Sequence, residues 1–140
     1  MIMKIYLAFT VLGDRAKLEL VESLAKLLQS RGHRILTTHL LSRNVRDEEA
    51  LKTPQFIFKR DMKWLEECDA LIAEVSGSGF GVGFEVGYVL GNSKKKVYIL
   101  YDKDAEHIVS RMARGNTMKK CKVVHYSDMK DVYKFVEENF

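Results

Sequence analysis

Short apolar runs of strand length alternate along this chain with amphipathic stretches of helix length, and that alternation leaves few folds open. Met3–Phe9 is the first apolar run. A turn, Thr10-Val11-Leu12-Gly13, leads to Asp14, which is placed as a helix N-cap. Leu18, Val21, Leu24, Ala25, Leu27 and Leu28 then recur at helical spacing, up to a C′ glycine at Gly32. Arg34–Thr38 reads as a second strand, and the mixed-charge stretch Ser42–Lys52 as a loop with a single helical turn. Thr53-Pro54 supplies a capping hydroxyl and a first-turn proline, opening a helix to Glu67. Phe58, Met62 and Leu65 form its expected core stripe. Ala70–Val75 is the third strand, and Ser76–Gly83, with four glycines in eight positions, a backbone-shaping loop. A helix over Phe84–Asn92, a strand over Lys96–Tyr101, a helix over Ala105–Arg114, a strand over Cys121–Tyr126 and a last helix over Ser127–Asn139 complete the pattern.

Five strand–helix units predict one α/β domain over residues 1–140: a doubly wound, five-stranded parallel sheet with helices on both faces, flavodoxin-like or Rossmann-like. Such sheets bind ligands at the carboxyl ends of their strands, near the topological switch point. The loops after strands one to four should therefore line the site. The composition, 46% hydrophobic and 30% charged, excludes a disordered chain. No apolar run reaches the roughly 18 residues of a membrane span. The N-terminus lacks a basic leader and a small-residue cleavage site, and Cys68 and Cys121 stand 53 positions apart with no CxxC. Two reduced thiols in a cytoplasmic protein are expected. The net charge of +4 favours an anionic small molecule over a nucleic-acid polymer. Lys94-Lys95-Lys96 and Lys119-Lys120-x-Lys122 read as solvated strand entries.

The glycine-rich loop lets a backbone approach a ligand closely and feeds into a helix N-terminus, which favours negative charge. No Gly-Lys-Ser/Thr follows, so it is not a Walker A loop. Its third glycine is misplaced for a dinucleotide fingerprint. Glu85 stands in what should be the first turn of the following helix, where the dipole would keep it ionised, as a nucleophile requires; a surface glutamate complementing the dipole is the plainer alternative. Asp61 flanks the apolar stripe of its helix beside Trp64 and Cys68, either as a second site carboxylate or as a surface ion-pair acid. Asp69 reads as a turn residue. Glu74, inside an apolar strand, faces a polar pocket or marks the strand's end. Tyr6 is a core tyrosine whose hydroxyl would need a partner. His39, Ser78 and Ser110 are candidate ligand contacts in or after the loops. No metal-ligand spacing, HExxH or GxSxG is present, and neither metal nor cofactor is expected.

Arg60-Asp61-Met62-Lys63-Trp64-Leu65-Glu66-Glu67-Cys68-Asp69-Ala70, Ala73-Glu74-Val75 and Gly81-Val82-Gly83-Phe84-Glu85-Val86-Gly87 together resemble the core signature of the nucleoside 2-deoxyribosyltransferase superfamily. The likeness is greatest to its short branch, the 2′-deoxynucleoside 5′-phosphate N-hydrolases. It runs from Lys4-Ile5-Tyr6 through Ser110-Arg111-Met112-Ala113-Arg114-Gly115. The resemblance implies cleavage of an N-glycosidic bond to give a free base and deoxyribose 5-phosphate. It makes Glu85 the nucleophile, Asp61 the carboxylate that assists proton transfer to the base, and Tyr6 the positioner of the nucleophile. It implies substrate contacts at Ala8, Phe9, Thr10, Gly13, His39, Ser78, Gly79, Gly81, Gly83, Ser110 and Met112, with Ser110 reaching the 5′-phosphate of a neighbour's site across a homodimer. The first loop lacks the arginine that mammalian-type hydrolases place there, with Arg15 a nearby substitute, and Gly79 stands where they carry a serine. Base exchange on unphosphorylated nucleosides and a non-catalytic nucleotide-binding module are the alternatives. A flavin mononucleotide carrier fits the fold but not the first loop.

Overall fold

The computed structural model describes residues 1–77 and 79–140. Strands β1 (Lys4–Ala8), β2 (Arg34–Ile35), β3 (Ala70–Glu74), β4 (Lys96–Asp102) and β5 (Cys121–Tyr126) form one parallel sheet in the order β2-β1-β3-β4-β5. Side chains alternate across it. Ile5, Leu7, Ile72 and Leu100 face α1 (Leu18–Ser30) and α6 (Met129–Asn139), while Tyr6, Ala8, Leu71 and Ile99 face α3 (Pro54–Glu67) and α4 (Phe80–Asn92). Two further short helices are α2 (Val45–Ala50) and α5 (Arg111–Arg114). This is the doubly wound architecture the alternation predicts. The chain reverses direction across the sheet between β1 and β3, so the loops after Ala8 and Glu74 diverge and leave a crevice. No helix among the described residues is long and apolar enough to cross a membrane.

Several elements differ from the sequence expectation, each for a local reason. β2 stops at Ile35 because Thr37 turns inward. Its hydroxyl donates to the Leu7 carbonyl (2.6 Å) and accepts from the Leu7 amide (3.1 Å), replacing the strand ladder with side-chain bonds. A 3-10 turn at Thr38–Leu41 follows and carries His39 to the crevice. The stretch expected to be mostly loop contains the six-residue α2. Asp14 does not cap α1, which starts at Leu18; its carboxylate accepts from Ala16 N (2.8 Å) in the preceding turn. Thr53 caps α3 as read, Asp128 caps α6, and Gly32 ends α1 at φ +93°. The helix expected over Ala105–Arg114 is broken by Ser110, which caps the short α5 after a 3-10 segment. Lys95 and Lys120 are not simply solvated. Their ammonium groups donate to carbonyls at the C-terminal ends of α3 (Leu65, 2.7 Å) and α4 (Ser93).

The loop after β3 is fixed from two sides. On one side Glu74, buried, accepts from Ser76 N (2.8 Å), Ser76 Oγ (2.7 Å) and the Tyr126 hydroxyl, while Asp102 N donates to Ser76 Oγ (2.7 Å). Glu74 thus both marks the strand end and fills a polar pocket. Burial raises its proton affinity, and the donors pull it back down. On the other side Asp14 N donates to the Gly77 carbonyl (3.2 Å), and a Cβ on Gly77 would lie 1.8 Å from the Asp14 carbonyl oxygen. Only glycine permits this approach between the β1 and β3 loops. Gly77→Ala is therefore expected to destabilise the protein by about 1–3 kcal/mol or more. Urea denaturation checks this; an unchanged midpoint would show that the two loops are not clamped together.

Candidate active site

A cleft of about 970 Å³ opens at the carboxyl ends of β1 and β3, within the size range of small-molecule sites. Its walls are the β1 loop, the 3-10 turn and α2, the first half of α3, and the start of α4. Tyr6 points into it from β1, Asp61 from α3 and Glu85 from α4. The glycines after β3 behave differently from a plain loop: α4 begins at Phe80, so Gly81 and Gly83 are helical and Glu85 stands in the second turn, not the first. Its distance from the helix end weakens the dipole's hold on it.

Burial then decides the charge. The Glu85 carboxyl is pushed up to about 7 by desolvation, with the nearby Asp61 charge adding to the rise and the Tyr6 hydroxyl and Arg60 opposing it. The helix dipole expected to keep this carboxylate ionised is outweighed by its burial. The Tyr6 hydroxyl is close enough to favour the carboxylate but is not in the geometry of a formed hydrogen bond, and Glu85 Oε2 is buried with no partner at all. Tyr6 itself is pushed far above the ordinary tyrosine range, chiefly by burial and then by Glu85 and Asp61, and is a permanent hydroxyl donor at neutral pH.

Asp61 is held quite differently. Its Oδ1 accepts from Arg60 Nε at 2.9 Å. Arg60 also donates to Glu49 Oε2 (3.3 Å), lies 3.0 Å from Glu49 Oε1 in an ion pair, places NH2 3.2 Å from His39 Nε2, and lies over the Trp64 ring at 5.0 Å. Burial raises the Asp61 carboxyl above its usual range, with Arg60 pulling it down. His39 Nε2 is also 3.1 Å from Glu49 Oε1, and its ring lies 5.4 Å from Trp64. Desolvation and Arg60 lower His39 to about 4, so it is a neutral imidazole at physiological pH. The Arg60–Glu49 pairing was not visible in the sequence, where Glu49 fell in a presumed loop; the acid three residues before Lys52 carries no periodic signal that singles it out.

Phe9, Thr10, Gly13, His39, Gly79 and Gly81 also line the cleft as expected. Thr10 Oγ1 accepts from Gly13 N (2.8 Å) and so shapes the first loop. Ala8 is buried in the sheet and does not line it. Ser78 lies outside the described residues. Gly83, Ser110 and Met112 border a separate apolar groove on the far side of α4, so one chain does not bring them to Glu85. Arg15 is not a free phosphate ligand. It donates to the Ser42 carbonyl (3.0 Å) and the Leu40 carbonyl and packs over Phe9 at 5.2 Å. Phe58 leaves the expected core stripe. It is 56% exposed and lines the cleft, 6.4 Å from Phe84. Among the described residues, no group of three or more His, Cys, Asp and Glu side chains is placed to hold a metal ion.

The family model for nucleoside 2-deoxyribosyltransferase matches residues 5–134, nearly the whole chain and every element that builds this cleft. The chain belongs to that family. Within it, a Thermofilum pendens protein named "Putative 2′-deoxynucleoside 5′-phosphate N-hydrolase 1" is 42% identical over 91% of this chain and 87% of its own. A Tetraodon nigroviridis 5-hydroxymethyl-dUMP N-hydrolase is 35% identical over 81% of this chain and 80% of its own. Among solved structures, a Clostridium botulinum CMP N-glycosidase superposes with a TM-score of 0.72 at 19% identity, covering 98% of this chain and 99% of that one; this likeness shows the fold.

The raised proton affinity of Glu85 has a measurable consequence. Its folded value of about 7 lies above the ordinary 4.5, so the folded state binds this proton more tightly than the unfolded chain does. The associated stability is fully present below about pH 4.5 and is lost as pH rises through 7. Glu85→Gln, neutral at every pH, is expected to match the parent protein in acid and to exceed it above neutrality by up to about 3 kcal/mol. Thermal melts across this pH range test it; a constant difference at all pH values would remove the burial account.

Proposed function

We propose that this protein is a nucleotide N-glycosidase that hydrolyses 2′-deoxynucleoside 5′-monophosphates to a free base and deoxyribose 5-phosphate. The single observation that carries the reading is the Glu85 carboxylate, buried beside Tyr6 and Asp61 with one oxygen free of any hydrogen bond. In this reading Glu85 Oε2 attacks C1′ from the face opposite the base. The C1′–N bond breaks, its electron pair leaves with the base, and Asp61 supplies the proton that neutralises it. Water then attacks C1′, returns its proton to Asp61, and frees Glu85 and the sugar phosphate. Proton affinities alone would also allow the two acids to exchange roles. Against that stands the pairing of Asp61 Oδ1 with Arg60, which withdraws electron density from Asp61, while Glu85 has a lone pair with nothing to surrender before attack.

The names of the relatives support a nucleotide N-hydrolase over the transferase for which the family is named. Backbone N–H groups of the Thr10–Gly13 and Gly79–Gly81 segments are the proposed phosphate contacts. Ser110 completes them from a second copy in a homodimer, and the protein works in the cytoplasm.

Incubation with a panel of deoxynucleosides and their monophosphates, followed by chromatography for free base, tests the reading. Release from monophosphates is expected, together with loss of turnover in Glu85→Ala and a roughly 10²–10⁴-fold slower chemical step in Asp61→Asn. Base exchange on unphosphorylated nucleosides, with no gain from the phosphate, would favour the transferase. Unchanged turnover in Glu85→Ala would remove Glu85 from the mechanism.

A further inference from the structure

Two phenylalanines present their rings to the cleft instead of to a core. Phe58 of α3 is 56% exposed and Phe84 of α4 is 47% exposed, and both line the cleft that holds Glu85 and Asp61. Their ring centroids are 6.4 Å apart with the planes at 56°, within the range of direct aromatic pairs. A flat ligand therefore does not pass between them. It can lie in the corner they form, its face on one ring and its edge toward the other. Tyr88, one turn further along α4, lies almost parallel to Phe84, at 6.3 Å and 11°. Ring carbons left in water on two walls of one cleft are a bare apolar surface that a flat apolar face would cover.

Their places in the helices decide what that face belongs to. Phe58 stands three residues before Asp61 on α3, and residues three apart on a helix are surface neighbours, with Cβ atoms about 5–6 Å apart. Asp61 can pass a proton only to a base that lies against it, so such a base comes within reach of the Phe58 ring. Phe84 directly precedes Glu85 on α4. The corner thus stands beside both acids of the proposed reaction. Nearby, the polar groups Arg60, Glu49 and His39 Nε2 already have partners in one another, whereas the cleft-facing ring surfaces are bare.

We propose that Phe58 and Phe84 are the base-stacking residues of this cleft, an aromatic corner that takes the face of the nucleobase while its sugar reaches Glu85. The proposal rests on the reading of Asp61 as the acid that serves the departing base, and it adds how that base is gripped. Stacking responds to the π-face of a base and not to the hydrogen-bond pattern of its edge. The larger bicyclic purines should therefore bind more tightly here than the monocyclic pyrimidines.

The test uses the full chain carrying Glu85→Ala to stop turnover, with 2′-deoxyadenosine and 2′-deoxycytidine 5′-monophosphates as probes. Proton NMR reads the bound base, whose protons move upfield when it stacks on an aromatic face, and calorimetry reads the affinity. Phe58→Ala and Phe84→Ala are each expected to weaken binding of the purine nucleotide roughly 5- to 150-fold and to reduce its upfield shifts. Phe58→Leu keeps an apolar side chain without the ring and should restore little of either, which separates stacking from simple apolar contact. Phe56, 51% exposed two residues earlier on α3 and not part of the cleft wall, is the control, and Phe56→Ala should leave both readings unchanged. Base protons that do not move upfield, shifts and affinity unaltered in either alanine variant, or tighter binding of the pyrimidine would overturn the proposal. So would variants that change only the oligomeric state on gel filtration, which would assign the pair to an interface between copies. Upfield shifts that depend on Phe58 and Phe84, in a protein whose parent form releases no base, would retire the hydrolase reading and leave the base site standing. Base release by a protein whose Phe58 and Phe84 variants bind normally would do the reverse.

Discussion

Removing a carboxylate from water costs several kcal/mol unless donors replace the lost hydration, and at one end of its sheet this small fold does so for Glu74, Glu49 and Glu85 among others. The three cases are solved differently. Glu74 receives hydrogens from Ser76 N, Ser76 Oγ and Tyr126. Glu49 is paired with Arg60 and faced by His39. Glu85 is given one loose neighbour, Tyr6, and an oxygen with no partner. The first two satisfied acids hold the walls that make the third, unsatisfied one possible. Without Glu74 the loop before α4 loses its link to Tyr126 and the bonds that orient Ser76. Without Glu49 the ion pair that ties α2 to α3 across the cleft is lost.

That contrast also separates structural from functional burial. A satisfied buried acid is an anchor, and its altered proton affinity is a by-product of where it sits. An acid left unsatisfied at a sheet's switch point stores free energy that a ligand can release, because an electron-poor carbon placed against the free oxygen supplies what the protein withholds. Tyr6 fits the same logic. Its hydroxyl stays protonated at any ordinary pH, so it keeps a hydrogen to give, and the Glu85 carboxyl lies nearby.

The sheet, its parallel sense and the side of it on which ligands bind were legible in the chain, since strand-length and helix-length periodicities survive almost any tertiary context. Tyr6, Asp61, His39 and Glu85 could be picked out and are brought to one cleft. What could not be read is what depends on partners distant in sequence. Glycines at 81 and 83 look like loop, yet α4 tolerates them, because each costs only about 1 kcal/mol against a helix that buries Val82, Val89 and Leu90. Phe58 matches the apolar stripe in period, but the period does not report that this turn of α3 faces a cleft. Glu49 gives no local sign that Arg60 will arrive eleven residues later. Arg15 is drawn to two backbone carbonyls whose position depends on the truncated β2, and a cation near a phosphate loop in sequence is not one in space.

Ser110 exposes the same gap between sequence and space. Along the chain it follows β4, whose loop should border the crevice, but α4 stands between it and Glu85. Its own groove is apolar, bordered by Gly83, Gly87 and Gly91 of α4, where an added Cβ at any of the three would meet nothing within 4 Å. Met112 beside it is 90% exposed, and Phe80 at the cleft side of the same helix is 93% exposed. A serine placed this way can serve a Glu85 cleft only if the cleft belongs to another molecule. The homodimer within the proposed function therefore makes a geometric demand: α4 must lie at or near the interface, with its glycine-lined face and these two exposed apolar side chains covered together. A dimer built on the α1 and α6 face would leave Ser110 as far from any substrate phosphate as it is in one chain, and the serine would then have to be dropped from the phosphate contacts.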